Sequence, residues 1–123
     1  MSAALTTEQH IEKAEHNELF AGQMNKGLPI GRDWAVTLLF YSAVHFVGAY
    51  FARKRAHFHS HRQRDSAIAR EAALLAIYPD YRDLEDFSRK ARYDRPVGYF
   101  TASEVQELTD ALQRIKGAIL ALL

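Results

Sequence analysis

From Trp34 to Ala52 the chain runs nineteen residues without one formally charged side chain. So much apolar surface must be covered by lipid or by protein. The length is close to the ~20 residues that a membrane span requires. However, the run contains Tyr41, Ser42, His45, Gly48 and Tyr50, and it stands alone in the sequence. It is read as a helix apolar on most of its circumference, either the central helix of a bundle or one shared with a second subunit. No membrane contact is expected.

The remaining sequence limits what can surround such a helix. With 123 residues there is room for one domain around one core, so residues 1–123 are expected to fold as a single helical unit. Only six Gly and three Pro argue against a loop-rich or β-sandwich design, and no strand-like alternation of useful length occurs. The absence of cysteine excludes a disulfide framework, a thiol nucleophile and a thiolate metal ligand. The first residues, Met1 to Glu8, lack the basic region and apolar core of a secretion signal. A cytoplasmic location is the default expectation.

Five helical segments are expected. The first runs from about Thr7 to Met24, where Thr6 and Gln9 have the spacing of a capping box. Asn25-Lys26-Gly27, Pro29 and Gly31 read as a connector. Asp33 then caps a second helix from Trp34 to about Arg55, with Arg53, Lys54 and Arg55 suiting its negative end. The third starts after Ser60, paired with Gln63, and carries Ala67, Ile68, Ala72 and Leu75 as its apolar stripe. The fourth follows the Tyr78-Pro79-Asp80 turn and presents Tyr81, Leu84, Ser88 and Ala91 on one side. After the Asp94–Gly98 connector, Thr101 and Glu104 cap a last helix with Val105, Leu108, Leu112, Ile115, Ile119 and Leu122 in register. Short connectors predict antiparallel neighbours. The expected architecture is all-α, an antiparallel up-down bundle of four to five helices.

Charge is polarised along this order. Residues 34–64 carry Arg53, Lys54, Arg55, Arg62 and Arg64 against no acid, with His57, His59 and His61 interleaved. Residues 65–88 carry Arg70 and Arg82 against Asp65, Glu71, Asp80, Asp83, Glu85 and Asp86. In an up-down bundle, Arg53–Arg55, His57–Arg64 and Arg89–Arg95 converge at one pole, and Asp80, Asp83, Glu85 and Asp86 gather at the other. Arg62 and Arg64 occupy the first turn of a helix, where the macrodipole favours acids by roughly 0.3–1 kcal/mol each. Guanidinium groups beside free helix N–H groups make an anion site, phosphate being the commonest such anion. The bland alternative is that Asp65 or Asp94 pairs with these arginines in a solvated cap. A metal site at His57, His59 and His61 is disfavoured, because no acidic ligand is nearby in sequence and the arginines repel a cation. His45 is read as a hydrogen-bonded core histidine.

The order Trp34-Ala-Val…Phe40-Tyr-Ser-Ala-Val-His45-Phe, Ser60-His61-x-x-Arg64-Asp65 and Tyr78-x-x-Tyr81-x-x-Leu84-x-x-x-Ser88-x-x-Ala-Arg92-Tyr93 resembles the HEPN superfamily of small helical proteins. Ala14-Glu15-His16-Asn17 fits the same picture. The resemblance implies an antiparallel helical bundle, commonly a homodimer whose subunits build a basic cleft, and together with the long apolar second helix it makes a homodimer the expectation for this chain. Many members are metal-independent ribonucleases, including toxins paired with a small nucleotidyltransferase antitoxin. Others have lost activity and bind nucleotide, RNA or protein. Active members carry Arg, four to six arbitrary residues, then His, late in the chain. Here no histidine follows His61, and the late segment reads Arg89-Lys-Ala-Arg92-Tyr93-Asp-Arg95-Pro. The spacing recurs only earlier, as Arg53…His59 and Arg55…His61.

The expected function is therefore a HEPN-like module, non-catalytic or weakly catalytic, that binds RNA, a nucleotide or an acidic protein partner. Arg64 and Arg92 would bind phosphate, Tyr93 would stack or hydrogen-bond, and His61 would donate a proton or hydrogen bond. Arg53, Arg55 and Arg89 would supply the outer field. No metal or cofactor is expected. In the enzyme alternative His61 and Arg64 are catalytic, and RNA cleavage leaves a 2′,3′-cyclic phosphate, as in a toxin or phage-defence pair with a nucleotidyltransferase. A third reading is a subunit that only contacts protein.

Overall fold

The computed structural model describes residues 4–123; Met1, Ser2 and Ala3, part of the stretch read for a secretion signal, lie outside them. Among the described residues the chain is all-helical. It comprises α1 (Thr7–Gln23), α2 (Pro29–Arg53), α3 (His61–Arg70), α4 (Tyr78–Arg89) and α5 (Ala102–Leu122), with a 3-10 turn at Ala72–Leu74 and a π turn at Lys90–Asp94.

α2 is the centre of the molecule, packed by α1, α4 and α5. It is long and apolar enough to cross a membrane, and 72% of its most apolar stretch is buried inside the protein. Val36, Phe40, Phe46 and Val47 are completely enclosed. α1 buries only Ala14 and Ala21, seven residues apart, and these small side chains let its backbone approach α2 closely. The Ser42 hydroxyl donates to the Ala14 carbonyl at 2.7 Å, and the Thr7 hydroxyl to the Ala49 carbonyl at 3.0 Å. Gly48 is required here, since a Cβ at that position would stand 2.7 Å from the His10 ring. α5 closes the core with the expected Val105, Leu108, Leu112, Ile115 and Ile119, while Leu122 remains exposed.

Capping follows the sequence at Thr6–Gln9 and Thr101–Glu104, where both reciprocal bonds form. At Ser60 only the side-chain-to-Gln63 bond forms; the Gln63 side chain accepts from the His59 N–H instead.

Three expectations about the elements are corrected. α2 begins at Pro29, not Trp34, because proline is well placed in a first turn that needs no N–H from it. Asp33 is thus inside the helix, and its carboxylate accepts from the Gly98 N–H at 3.3 Å, tying the 95–100 connector to α2. α3 stops at Arg70, since Glu71 turns extended (φ −96°, ψ 107°). That break resets the helical phase, so Leu74 and Ile77 are buried where Ala72 and Leu75 were expected. Finally, α4 does not give way to a loop at Asp94 but passes into the π turn, closed by the Arg95 N–H on the Lys90 carbonyl at 3.0 Å.

Candidate functional site

A cleft of about 710 Å³ opens between α3 and α4, with Phe40 of α2 among its walls. α3 contributes His61, Arg62 and Asp65; α4 contributes Arg82, Glu85 and Arg89; the π turn contributes Arg92 and Tyr93. Arg82, Glu85, Arg89 and Arg92 follow steps of three, four and three, which keep them on one helical face. Tyr78, at the start of α4, completes the aromatic part of the lining.

Arg92 is the most fixed of the cationic groups. Its Nη1 donates to the Tyr41 hydroxyl at 2.9 Å and its Nε to the Ser88 carbonyl at 3.3 Å. The guanidinium lies 5.5 Å from the Tyr41 ring centroid and 5.1 Å from that of Tyr93, within cation–π range of both. Tyr93 itself is 75% exposed, leaving ring surface open for stacking. By contrast, Arg89 is engaged by carboxylates, with Nη2 2.8 Å from Asp86 and Nε 3.7 Å from Asp94.

His61 stands at the first position of α3, its ring 5.5 Å from that of Phe40. Its Nδ1 is 3.0 Å from Arg64 Nη1. A guanidinium can only donate, so Nδ1 accepts and the neutral ring carries its proton on Nε2. Burial, followed by the Arg64 and Arg92 charges, lowers the His61 pKa against the opposing pull of Asp65. The neutral ring is thus a hydrogen-bond donor through Nε2–H and resists becoming an acid.

At the acidic side of the cleft, Arg82 Nη1 is 3.6 Å from Asp65 and 3.8 Å from Glu85. Glu85 is only 9% exposed. Burial and then a hydrogen bond with the Asp65 carboxyl raise its pKa to about 7.

Of the site residues expected from sequence, His61, Arg89, Arg92 and Tyr93 line this cleft. Arg64 acts on His61, as Arg92 does, but opens onto a neighbouring cavity of about 300 Å³ with His10, His45, His57 and His59. Arg53 and Arg55 line neither cavity. Lys54 pairs with Glu71 at 3.1 Å, and Arg55 takes a left-handed backbone conformation (φ 60°) at the helix end. The expected separation into a basic and an acidic pole is also corrected. Glu85 lines the cleft beside its arginines, and Asp86 pairs with Arg89 and Lys90. Helix phase, not segment composition, sets which charges meet. Sequence reasoning missed Tyr41, Arg82 and the Asp65–Glu85 pair; the 82-85-89-92 spacing was the signal that held two of them.

In the neighbouring cavity His10 and His45 meet Nδ1 to Nδ1 at 3.0 Å, one donating and one accepting. Burial lowers both pKa values; His57, Arg64 and Lys13 add to it at His10, while the His10 ring and then Lys13 and Arg64 add to it at His45, whose pKa falls to about 4. His45 is thus half-buried and hydrogen-bonded. Among the described residues no group of three or more His, Asp or Glu side chains is placed to share a metal ion.

No protein-family model, curated protein or solved structure matches this chain.

Proposed function

We propose that the chain is a module that binds RNA or nucleotide phosphate in the α3–α4 cleft and holds it without cutting it. The observation that carries this reading is Arg92, locked by Tyr41 and Ser88 beside an exposed Tyr93 ring, with Arg62 and Arg89 on the same cleft. A fixed guanidinium for phosphate and an open aromatic face for a base are the recurrent pairing of single-strand recognition. His61 supports binding over cleavage: its Nδ1 is held by Arg64, and its lowered pKa leaves little imidazolium to act as an acid. The antiparallel up-down order of the helices and kinship with the HEPN superfamily belong to the same proposal, the first resting on the short connectors and the second on the sequence resemblance. A homodimer belongs to the same proposal and rests on the sequence resemblance, since α1, α4 and α5 cover the apolar run of α2 within one chain.

Incubation of the purified chain with labelled single-stranded RNA in EDTA tests the proposal. The expected result is intact RNA retained at low salt and released as salt rises. Arg92→Ala should weaken retention by roughly 10- to 100-fold, the value of a charge-assisted hydrogen bond. Cleavage that disappears in His61→Ala, or no retention at low salt, overturns it.

A further inference from the structure

The cavity of about 300 Å³ beside the cleft takes no part in the reading above, yet nitrogen groups surround it. α1 supplies His10, α2 supplies His45, the 54–60 connector supplies His57 and His59, and α3 supplies Arg64. Among the described residues no acidic side chain lines it. The acids that the sequence offered as partners for this arginine are engaged elsewhere, Asp65 with Arg82 at 3.6 Å and Asp94 with Arg89 at 3.7 Å. Arg64 is half-buried and its Nη1 is held by His61, so its charge borders the cavity with no carboxylate to offset it.

The imidazoles add hydrogen-bonding capacity. His10 and His45 use their Nδ1 atoms on each other, which leaves the pair one Nε2–H and one bare Nε2. His57 and His59 are exposed on the connector, where their rings can turn toward a ligand. A cation is poorly served here, because Arg64 repels it and no third His, Asp or Glu is placed to complete a ligand set with the pair. The fitting ligand is an anion, and its charge can be counted. Arg64 offsets one negative charge. A second one, beside rings on which only cationic groups now act, draws a proton onto the His10–His45 pair. A phosphate diester brings a single charge, whereas a monoester brings up to two.

We propose that His10, His45 and Arg64 form a second anion site, suited to a phosphate monoester and separated from the cleft by one hydrogen-bonded pair. That pair is Arg64 and His61: the imidazole lines the cleft, and the guanidinium that holds it borders the cavity. The volume is at the lower end of the range for small-ligand sites. This site is independent of RNA binding in the cleft.

In the free protein, burial together with His57, Arg64 and Lys13 keeps the two rings neutral. Glu12 borders His45 with Lys13 and His16 in an adjoining depression, outside the cavity. A bound dianion reverses the cationic field. Restoring one ring to its ordinary value of 6.5 makes binding take up a proton, so dianion affinity should rise about tenfold from pH 7.5 to pH 5.5.

The test is titration of the full chain with sodium sulfate, a dianion that does not itself titrate in this range, followed by NMR of the histidine ring protons. The His10 and His45 signals should move saturably, with the stated gain on acidification. Dimethyl phosphate, a monoanionic diester, should bind more weakly and without that gain. Arg64→Gln should weaken sulfate roughly 10- to 100-fold, as expected for a charge-assisted contact. Arg53→Gln removes the same charge outside both cavities and should change nothing. His57→Gln, at an exposed connector position, should weaken sulfate about threefold or more, and it keeps the test decisive if melting curves show Arg64→Gln to be unfolded. Signals of His10 and His45 that stay put, or equal weakening by Arg64→Gln and Arg53→Gln, overturn the site. Shifts that vanish in Arg92→Ala place the anion in the cleft and also overturn it. Loss of RNA retention with these shifts intact overturns the cleft reading alone.

Discussion

Arg55 sits at φ 60° just past the end of α2, where the Ala56 N–H reaches back to the Phe51 carbonyl at 2.9 Å. This is the helix-ending position usually given to glycine, and a side chain there costs about 1 kcal/mol. Arg55→Gly should raise stability by about that amount, measured as a higher urea midpoint. Nucleotide affinity should stay near wild type, because Arg55 does not line the cleft. Tyr41→Phe is the matching probe of the site. It deletes the hydroxyl that accepts from Arg92 but keeps the ring beneath the guanidinium. RNA affinity should fall roughly 2- to 10-fold, the worth of one ordinary hydrogen bond, less than in Arg92→Ala. At this scale the sequence pointed to Arg92 and Tyr93, which line the cleft, and to Arg53 and Arg55, which do not. Density of positive charge was readable; which side chains the backbone turns toward a common cavity was not.

α1 and α2 depend on a contact without slack. A Cβ on residue 48 would meet the His10 ring at 2.7 Å, so Gly48→Ala must shift that ring and break the His10–His45 bond. A loss of about 1–3 kcal/mol is expected, seen as a lower melting temperature, and α1 amides should exchange hydrogen faster. The elements themselves were legible where local chemistry acts alone. Thr6–Gln9 and Thr101–Glu104 marked helix starts because capping needs only neighbours. The three- and four-residue repeat of α5 likewise named its buried face. Legibility failed where tertiary contacts decide. Pro29 and Gly31 looked like breakers, yet the helix begins at the first and runs through the second, and a Cβ on residue 31 would overlap the Asn25 carbonyl oxygen. Glu85 was expected at an acidic pole, and only the approach of α3 to α4 across the cleft gives it Asp65 as a neighbour.

Across the whole molecule the half-buried His45 and the buried Glu85 oppose one another in titration. His45 has a folded-state pKa near 4 against an ordinary 6.5, so the unfolded chain binds more protons between those values. Its stability contribution is complete above pH 6.5 and is lost as pH falls toward 4. Glu85 is raised from 4.5 to about 7, so its contribution is complete below pH 4.5 and is lost as pH rises through 7. Between pH 4.5 and 6.5 the two slopes partly cancel, but His10 and His61, lowered in the same direction as His45, leave a net loss of stability on acidification. Glu85→Gln should remove the decline toward neutral pH and expose a steeper loss on acidification; His45→Asn should do the reverse. Denaturant midpoints measured from pH 4 to 8 would distinguish them, and parallel curves for all three proteins would contradict the assignment.

The π turn at Lys90–Asp94 carries Arg92 and Tyr93 on one residue more than an α-helix would use. Each residue advances a helix by roughly 100°. Deleting a single codon within this turn would let ordinary pitch resume and wheel the guanidinium and the ring away from their pocket together. In the proposed binding module the placement of the phosphate and stacking groups is thus set by chain length as well as by side-chain identity.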